Sequence, residues 1–518
     1  MMNEGTGVAK RYAQLESSRD AFLQRARDAA ELTIPTLLPP EGHSGSTVYA
    51  TPFQSIGSRG VNNLASKLLL ALLPTNSPFF RLTIDDFDLA VATQGQAERG
   101  AVEEALARIE RAGLQEIEAS AIRVPVFEAL KQLIVTGNAL LFMPQDDKGM
   151  KVYRMDRYVT KRDAMGHVLE IITQESVRPA MLPEEVRILL TDPEDRSTKD
   201  YDIYTYVCRK ADKWEAYQEV QGIEVPGSRG EYKLDQNPFI PLRFIRVDGE
   251  DYGRGYVEEY LGDLKSLEAL TKAIVEGSAA SAKVLFMVRP NGTTKARNLA
   301  ESPNGAIVTG DANDVSTLQV QKGGDFRVAM ESMNTIQERL NFAFLNNSSV
   351  QRNAERVTAE EVRFMAQELE TALGGIYSIL SQEFQMPLIK LLLKRLEKEG
   401  KMPKLPKDTV KPTIVTGIEA LGRGQDLNKL ASFLQYLQPL GPEVIASEMN
   451  IDDYISRLAA SLGIDTGGLV KSPQQKQQEA EQAQAAQQQM MMQQTAANMA
   501  ENATAPTINQ VGKAVDSQ

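Results

Sequence analysis

The stretch Asn341-Phe342-Ala343-Phe344-Leu345-Asn346-Asn347-Ser348-Ser349-Val350-Gln351-Arg352-Asn353-Ala354-Glu355-Arg356-Val357-Thr358 decides the fold, because it joins two helices through a polar loop. Apart from Leu345 and Val350 the loop lacks apolar anchors, which predicts low local stability. Thr358 then opens a Thr-x-x-Glu capping box with Glu361, in which each side chain satisfies a free backbone N–H of the first helical turn. The sequence therefore predicts a helix, a mobile polar loop and a second helix.

The helix that begins at Thr358 is unusually long. Its apolar residues recur every three or four positions from Val362 to Leu396, which is the spacing of one buried helical stripe. Such a helix would span about 60 Å. Gly374-Gly375 and Pro387 interrupt the pattern, so we expect a kink there.

Two further helices with a small insert between them precede the loop. The first, over residues 257–283, ends in a run of small residues from Gly277 to Ala282. Small residues let another backbone approach closely, either within the chain or in a ring of helices from several subunits. The second helix covers residues 325–344. The insert contains two β-like runs, Val284 to Val288 and Ala306 to Thr309.

The rest of the chain mixes helical and strand patterns. Residues 4–141 have mostly helical periodicity, whereas residues 151–247 alternate with the period of two that is typical of half-buried strands. Tyr201 to Val207 and Trp214 to Val220 are predicted to pair antiparallel, and further strands are expected from Pro241 and over Lys411 to Thr416. The glutamine-rich tail, residues 471–518, is predicted to be disordered, because it has too few apolar side chains to offset the entropy of ordering. We predict an α+β fold that is mainly helical.

Composition excludes several functional classes. The 518 residues carry a net charge of −12, so the surface as a whole repels nucleic acid. The single cysteine, Cys208, excludes an internal disulfide framework and fits a reducing compartment. The longest aliphatic run, Leu68 to Leu73, is too short to cross a bilayer, and the polar N-terminus lacks the apolar core of a signal peptide. We expect a soluble, cytoplasmic or assembly-associated protein without membrane contact.

Catalytic and metal-binding patterns are nearly absent from the sequence. His43 and His167 are far apart and have no Cys or carboxylate at ligand spacing, so no metal site or other cofactor is predicted. No Gly-x-x-x-x-Gly-Lys-Ser/Thr loop is present, which argues against a P-loop motor. We predict that the protein is not an enzyme.

Several long blocks resemble the portal proteins, or head-to-tail connectors, of short-tailed T-odd-type bacteriophages. The resemblance extends over nearly all of the chain outside the tail. The blocks that carry it include Arg59 to Leu68, Leu130 to Asn138, Asp248 to Arg254, Glu259 to Leu264, Val350 to Arg352, Glu355 to Glu361, Gly374 to Glu383 and Gly422 to Leu427.

The resemblance implies a ring of twelve subunits at one vertex of the phage head, with double-stranded DNA passing through its central channel. By matching order, it implies a wing (1–256), two stem helices (257–283 and 325–344) around a clip (284–324), a channel loop (345–357), a long kinked wing helix and strand (358–417), and a crown (418–470). It also implies several partners during assembly, genome packaging and genome ejection. They are the terminase large subunit, tail adaptor proteins, the major capsid and scaffolding proteins, and internal core proteins. The expected location is the virion, after assembly in the host cytoplasm. A structural component of the capsid or tail without a DNA channel is the alternative.

Within this scheme two groups of residues are candidate contact sites. The loop residues expected to face DNA are Asn346, Asn347, Ser348, Ser349, Gln351, Arg352, Asn353 and Arg356. Arg352 and Arg356 either steady the duplex or form salt bridges with neighbouring glutamates. Sparse cations in an acidic ring would hold DNA without trapping it, because many phosphate contacts would oppose sliding. In the clip, Lys295 and Arg297 are predicted to dock assembly partners.

Overall fold

The computed structural model describes residues 7–74, 79–84, 99–145, 149–190, 200–281, 285–318, 323–346, 369, 373, 375–402, 410–414, 422–441 and scattered positions between 449 and 493. The chain divides into two compact units, Met1–Gly422 and Arg423–Gln518. Helices and antiparallel sheets both occur in the first unit, so the mixed helix-and-sheet class is confirmed.

The described helices are α1 (Val8–Glu31), α2 (Ile56–Leu72), α3 (Arg99–Ala119), α4 (Arg123–Thr136), α5 (Glu184–Leu190), α6 (Tyr256–Glu259), α7 (Leu261–Ser281), α8 (Ala296–Glu301), α9 (Gly323–Ala343), α10 (Ile376–Leu380), α11 (Met386–Lys398) and α12 (Gly422–Leu437). The core of the first unit is built mainly from α1, α2, α4 and α11. Leu64, Leu68 and Leu72 on α2 are fully buried and form one cluster with Leu133 and Leu392. Their spacing of four residues places them on one face of α2, which the sequence pattern predicts.

The described strands are β1 (Phe80–Ile84), β2 (Asn138–Phe142), β3 (Lys151–Tyr153), β4 (Tyr158–Arg162), β5 (Val168–Val177), β6 (Tyr201–Arg209), β7 (Lys213–Val220), β8 (Ile223–Glu224), β9 (Gly230–Lys233), β10 (Phe239–Arg243), β11 (Leu285–Val288), β12 (Val315–Leu318) and β13 (Val410–Ile414). The largest sheet has the order β4-β5-β6-β7-β8, with β9 paired to β7, and a second sheet has the order β10-β2-β3. Two strand pairs, β1 with β13 and β11 with β12, form separate sheets. All these pairs are antiparallel.

The hairpin predicted from period-two alternation is confirmed. Strand β6 pairs antiparallel with β7, and Val207 lies opposite Ala216. Both side chains are buried, and they lie on the same face of the sheet because they are directly opposite each other in an antiparallel pair. The strand expected from Pro241 is also present as part of β10. It belongs to the β10-β2-β3 sheet and not to the sheet that contains the β6–β7 hairpin.

The prediction that residues 4–141 are mostly helical overlooks two strands, β1 and β2. Strand β2 follows Gly137, which ends α4 in the left-handed conformation with φ of 78°. A Cβ at Gly137 would lie 2.3 Å from the carbonyl carbon of Arg254, so glycine is required by both the conformation and the close approach. Residues Asn138 to Leu141 are buried, and such a continuous apolar run cannot be told from a buried helix by periodicity.

The interruption expected near Pro387 takes the form of a π-helical turn. Ser381–Gln385 is π-helical between α10 and α11, and the N–H of Met386 donates to the carbonyl oxygen of Ser381. Pro387 follows at the start of α11, where its missing N–H removes one ordinary helical hydrogen bond. The turn carries Glu383 and Gln385, which hold the helix to two other elements. The predicted helix start, Thr358 and Glu361, lies outside the described residues.

The second unit is described over few residues. It contains α12 and the 3-10 turn Gln438–Leu440. Tyr454 donates from its hydroxyl to the carbonyl oxygen of Leu430 at 3.3 Å. Most of the glutamine-rich tail lies outside the described residues, so its predicted disorder stays a prediction.

Candidate functional site

Helices α7 and α9 form an antiparallel hairpin. The facing stripe of α7 includes the buried Leu264 and Leu267, and α9 contributes the buried Ile336 and Leu340. Gly277 makes room for Phe326, since a Cβ at position 277 would lie 2.8 Å from the Phe326 ring. One of the small residues at the end of α7 therefore serves packing within the chain, whereas Ser278, Ala279 and Ala280 remain exposed.

The insert, residues 285–318, connects the two helices. Its strands β11 and β12 pair from Val288 with Val315 to Leu285 with Leu318. The prediction of a second strand over Ala306 to Thr309 is wrong, because that segment has no strand structure and the pairing falls on β12. Short apolar runs do not fix which segment supplies the ladder partner.

One carboxylate, that of Asp314, organises the turn that follows β11. Its Oδ2 accepts hydrogen bonds from the backbone N–H groups of Thr293 and Thr294 at 2.7 and 3.2 Å and from the Thr293 hydroxyl at 3.2 Å. These bonds, the one from the Thr294 N–H foremost, lower the pKa of Asp314. The Asp314 carboxyl group also fills the space beside Gly292, where a Cβ would lie 2.4 Å from it.

The candidate docking residues of the insert are exposed, but they differ in their partners. Lys295 precedes α8, and Arg297 donates from Nε to Glu301 at 2.9 Å one turn further along. The Arg297 side chain is 86% exposed, so this ion pair stabilises the helix only weakly. Phe286, Met287 and Ile307 are also exposed on the insert, so apolar and basic groups are both available there.

The end of α9 is fixed at the opposite end of the hairpin. The Tyr256 hydroxyl donates to the carbonyl oxygen of Ala343 at 2.9 Å, and Asn63 Nδ2 donates to those of Phe344 and Leu345 at 3.0 Å each. Lys67 Nζ donates to the Leu345 carbonyl at 3.0 Å. A buried cation and two polar donors therefore satisfy the carbonyl groups at this helix end and match its negative dipole.

Aromatic packing surrounds the same point. Tyr256 and Tyr260 both contact the Phe344 ring, with centroids 6.0 Å away in each case. Gly60 on α2 lies so close to Phe344 that a Cβ there would be 2.5 Å from the ring. Burial raises the pKa of Tyr256, and its hydrogen bond with Tyr260 adds to the increase. The rings of Tyr256 and Tyr260 and the backbone of Gly60 thus surround Phe344, the residue before the loop; we call this arrangement the aromatic socket.

The loop begins from this socket with a strained residue. Leu345 has φ of 54°, an uncommon conformation for a residue with a side chain. Asn346 is buried; its N–H donates to the Asn341 carbonyl at 2.8 Å and its Nδ2 to Asn341 Oδ1 at 3.2 Å. Asn346 therefore bonds back to the end of α9 in the described chain, and a contact between its side chain and DNA stays a prediction. The other predicted loop residues lie outside the described residues: Asn347, Ser348, Ser349, Gln351, Arg352, Asn353 and Arg356.

Two side chains fix the π-helical turn between α10 and α11 to other parts of the first unit. Gln385 is fully buried and donates from Nε2 to the Leu72 carbonyl at 2.8 Å, which fixes it to the end of α2. Glu383 accepts from Arg243 Nε at 3.1 Å and from the Arg243 backbone N–H at 3.1 Å. A second buried arginine, Arg162, lies 3.9 Å from Glu383, and burial lowers the pKa of Arg162 to about 10.

Sequence reasoning missed Asn63, Lys67, Glu383 and Gln385. Lys67 could have been recognised, because it is a lone cation among the apolar residues of the buried face of α2. Gln385 has a similar signal beside Phe384 and Leu388. Buried polar side chains of this kind need partners, and those partners lie far away in sequence.

Metal-binding side chains do not converge in the described part of the chain. No group of three His, Cys, Asp or Glu residues there could hold a metal ion. His167 lies on an exposed turn, where Nδ1 is 3.1 Å from Asp163 Oδ2. None of the described helices is long and apolar enough to cross a membrane.

Comparison with known proteins identifies relatives over almost the whole chain. The family described as bacteriophage head to tail connecting protein matches residues 6–470. The portal protein of Escherichia phage T7 is 44% identical over 489 residues, which cover 92% of this chain and 91% of that protein. The portal protein of Enterobacteria phage T3 is 44% identical over 477 residues, covering 91% and 89%. That of Pseudomonas phage phiKMV is 32% identical over 470 residues, covering 89% and 91%.

Among solved structures, a chain in the virion of a native gene transfer agent particle matches this protein. The match covers 75% of this chain and 86% of that chain. The TM-score is 0.33 and the identity is 11%.

Proposed function

Because the chain belongs to the bacteriophage head-to-tail connecting protein family, whose members include the portal proteins of short-tailed phages, we propose that it forms a twelve-subunit ring around a DNA channel. Members of this family are structural proteins of the virion rather than enzymes. In the proposed role, the ring occupies one capsid vertex after assembly in the host cytoplasm. Double-stranded DNA enters through it during packaging and leaves through it during ejection.

The structural observation that supports this proposal is the hairpin formed by α7 and α9. Helices α7 and α9 present the insert at one end, and α9 runs directly into the polar loop at the other end. We assign residues 257–283 and 325–344 to the stem, 284–324 to the clip and 345–357 to the channel loop. The wing (1–256 and 358–417) and the crown (418–470) complete the scheme.

Electron microscopy of the purified protein tests the ring directly. We expect rings with a central pore, twelve-fold in projection, and no ATP hydrolysis by the pure protein. Particles without a pore, or stable monomers at near-physiological salt, would favour the alternative of a capsid or tail component that does not surround DNA.

The loop is proposed to act as a valve that retains packaged DNA. Its start is fixed by Asn63, Lys67 and the aromatic socket, which hold the end of α9 at the point where the loop begins. Deletion of residues 347–353, which include Arg352, should leave rings intact but let DNA slip out after packaging. If rings with this deletion fill and retain full-length DNA as the wild type does, the valve assignment is wrong.

The insert is proposed to dock the terminase large subunit first and tail adaptor proteins later. Major capsid, scaffolding and internal core proteins are proposed as further partners of the ring. Replacing Lys295 and Arg297 by Glu should impair packaging or tail attachment without preventing ring formation, because both side chains are exposed. Lys210→Glu, an exposed charge reversal in the turn between β6 and β7, is the control. Normal packaging and tail joining in the double variant would contradict the assignment.

A further inference from the structure

Each helix of the hairpin carries charged side chains on the side that faces away from its partner helix. On α7 these are Lys265, Lys272 and Glu276, and on α9 they are Glu338, Glu331 and Arg327; all six are exposed. The intrachain contact uses Leu264, Leu267 and Thr271 on α7, so Lys265 and Lys272 follow the contact residues by one position and are rotated away from α9.

These charged groups are not used within the described chain as ion pairs between the helices. Glu276, Arg327, Glu331 and Glu338 form no ion pair with a described residue. Lys265 Nζ is 3.7 Å from Asp28, and Lys272 Nζ lies 5.9 Å from the centroid of Phe53. Both lysines remain exposed beside these neighbours.

The heights of the charges along the hairpin follow from three observed contacts. Arg339 binds Asp263 at 3.0 Å, Thr271 Oγ1 lies 3.7 Å from Met333 Sδ, and Gly277 packs on Phe326. In an antiparallel pair, each step forward on α7 corresponds to a step backward on α9.

By this register, each of these three outward-facing charges on α7 is level with an opposite charge on α9. Lys265 lies at the height of Glu338, Lys272 at the height of Glu331, and Glu276 at the height of Arg327. The sign changes at the same level on both helices, so the order positive, positive, negative on α7 meets negative, negative, positive on α9.

We propose that the outer side of α7 in one subunit docks on the outer side of α9 in a second copy of this chain. The contact would contain the ion pairs Lys265–Glu338, Lys272–Glu331 and Glu276–Arg327. It rests on the proposed ring, in which neighbours are related by rotation about an axis along the hairpins, so that equal heights stay level. Since the two charged sides lie on opposite edges of one hairpin, the contact joins different surfaces. Contacts of this kind close into a ring when the rotation between neighbours closes, as it does in the proposed ring.

Exposed apolar side chains on the same two helices support a covered surface. Val275 on α7 and Val328, Met330 and Phe342 on α9 are 51%, 65%, 49% and 79% exposed. Docking of a second copy would remove part of this area from water. The ion pairs then set the register between neighbours, because opposed charges favour one alignment and like charges oppose the others.

The test uses two charge-reversal variants. The first combines Lys265→Glu with Lys272→Glu, and the second combines Glu331→Lys with Glu338→Lys. In either variant alone, every interface opposes like charges, and we expect ring formation to be at least about tenfold weaker at low salt. Mixing the two variants restores opposite charges at every interface, so we expect rings in which the two variants alternate, detectable by native mass spectrometry. The variant with all four reversals should form rings by itself.

Controls separate this contact from general destabilisation and from the proposed function. Thermal melts by circular dichroism report whether each variant is folded. Swapping an exposed ion pair near β8, Glu224→Arg with Arg229→Glu, changes the same kinds of charge outside the proposed sites and should leave rings unchanged. If the wild type forms no ring, the proposed function fails. If the wild type forms rings and either double variant assembles equally well with the same salt dependence, or folded variants fail to co-assemble on mixing, only this inference is overturned.

Discussion

Lys67 on α2 and Leu345 at the start of the loop are joined by a hydrogen bond of 3.0 Å, although they are 278 residues apart in the sequence. Lys67 is 5% exposed, so its ammonium group is buried where it donates to the Leu345 carbonyl just after the end of α9. The bond ties the helical core of the first unit to the residue with positive φ from which the loop departs.

Lys67→Met should loosen this junction. The substitution keeps much of the side-chain length but removes the donor and leaves buried carbonyl groups less satisfied, at a cost of about 1–3 kcal/mol. Hydrogen exchange should increase at residues 341–346 while the six-stranded sheet keeps its protection. Lys131→Met, a change on the outer surface of α4, is the control. Unchanged exchange at residues 341–346 would mean that Lys67 does not fix the loop.

Glu383 neutralises two buried arginines, so its loss should be costly. In Glu383→Leu, Arg243 and Arg162 would remain in the interior with their main counter-charge removed, and we expect destabilisation of about 3–5 kcal/mol in urea unfolding. Adding Arg243→Met to Glu383→Leu should recover part of the loss. If the double variant loses more unfolding free energy than the two single variants lose together, this account is wrong.

Gly277 provides a test of the hairpin packing. Gly277→Leu should destabilise the contact between α7 and α9 by about 1–3 kcal/mol, because the new side chain occupies the space of the Phe326 ring. Ala273→Leu on the exposed side of the same helix should change monomer stability little. Combining Gly277→Leu with Phe326→Ala should recover stability, and absence of any recovery would show that the two positions do not share this space.

Asp314 should make the insert sensitive to acid. Its folded-state pKa is depressed below the ordinary value of 3.8 by hydrogen bonds to its carboxylate. The carboxylate therefore stabilises the insert at pH values above 3.8, and this contribution is lost as the pH falls through the depressed pKa. Amide protection of Thr293 and Thr294 should be constant from pH 7 to about 5 and decrease below about 4. In Asp314→Ala, protection should be low at every pH; a wild-type acid profile in that variant would rule out this role.

Sequence periodicity predicts the elements that bury one continuous stripe. The pairing of α7 with α9 follows from their apolar spacing, and the β6–β7 hairpin follows from alternation, because both patterns are local. The prediction for Ala306 to Thr309 was wrong because strand pairing in the insert depends on the turn held by Asp314, which apolar content does not reveal.

The candidate site was predictable only in part for a related reason. A polar loop after α9 is visible in the sequence, but its attachment depends on Asn63, Lys67 and Tyr256, which come from distant segments. Nothing in the spacing of these residues indicates that they meet one helix end. Long-range partners of this kind are set by tertiary packing, which a single sequence does not encode as a local pattern.

The β1–β13 pair has a consequence for the order in which the chain folds. Thr83 and Thr413 lie side by side with their hydroxyl oxygens 3.0 Å apart, although 330 residues separate them. At ordinary rates of translation, roughly 15–65 s pass between the synthesis of these two positions. During that interval β13, the described partner of β1, has not yet been synthesised. The sheet that these two strands form is therefore completed only after the hairpin and the loop have been made. A newly made subunit therefore completes this sheet only after the segments that we assign to ring contacts have left the ribosome, so premature association between incomplete chains is a hazard that its assembly must avoid.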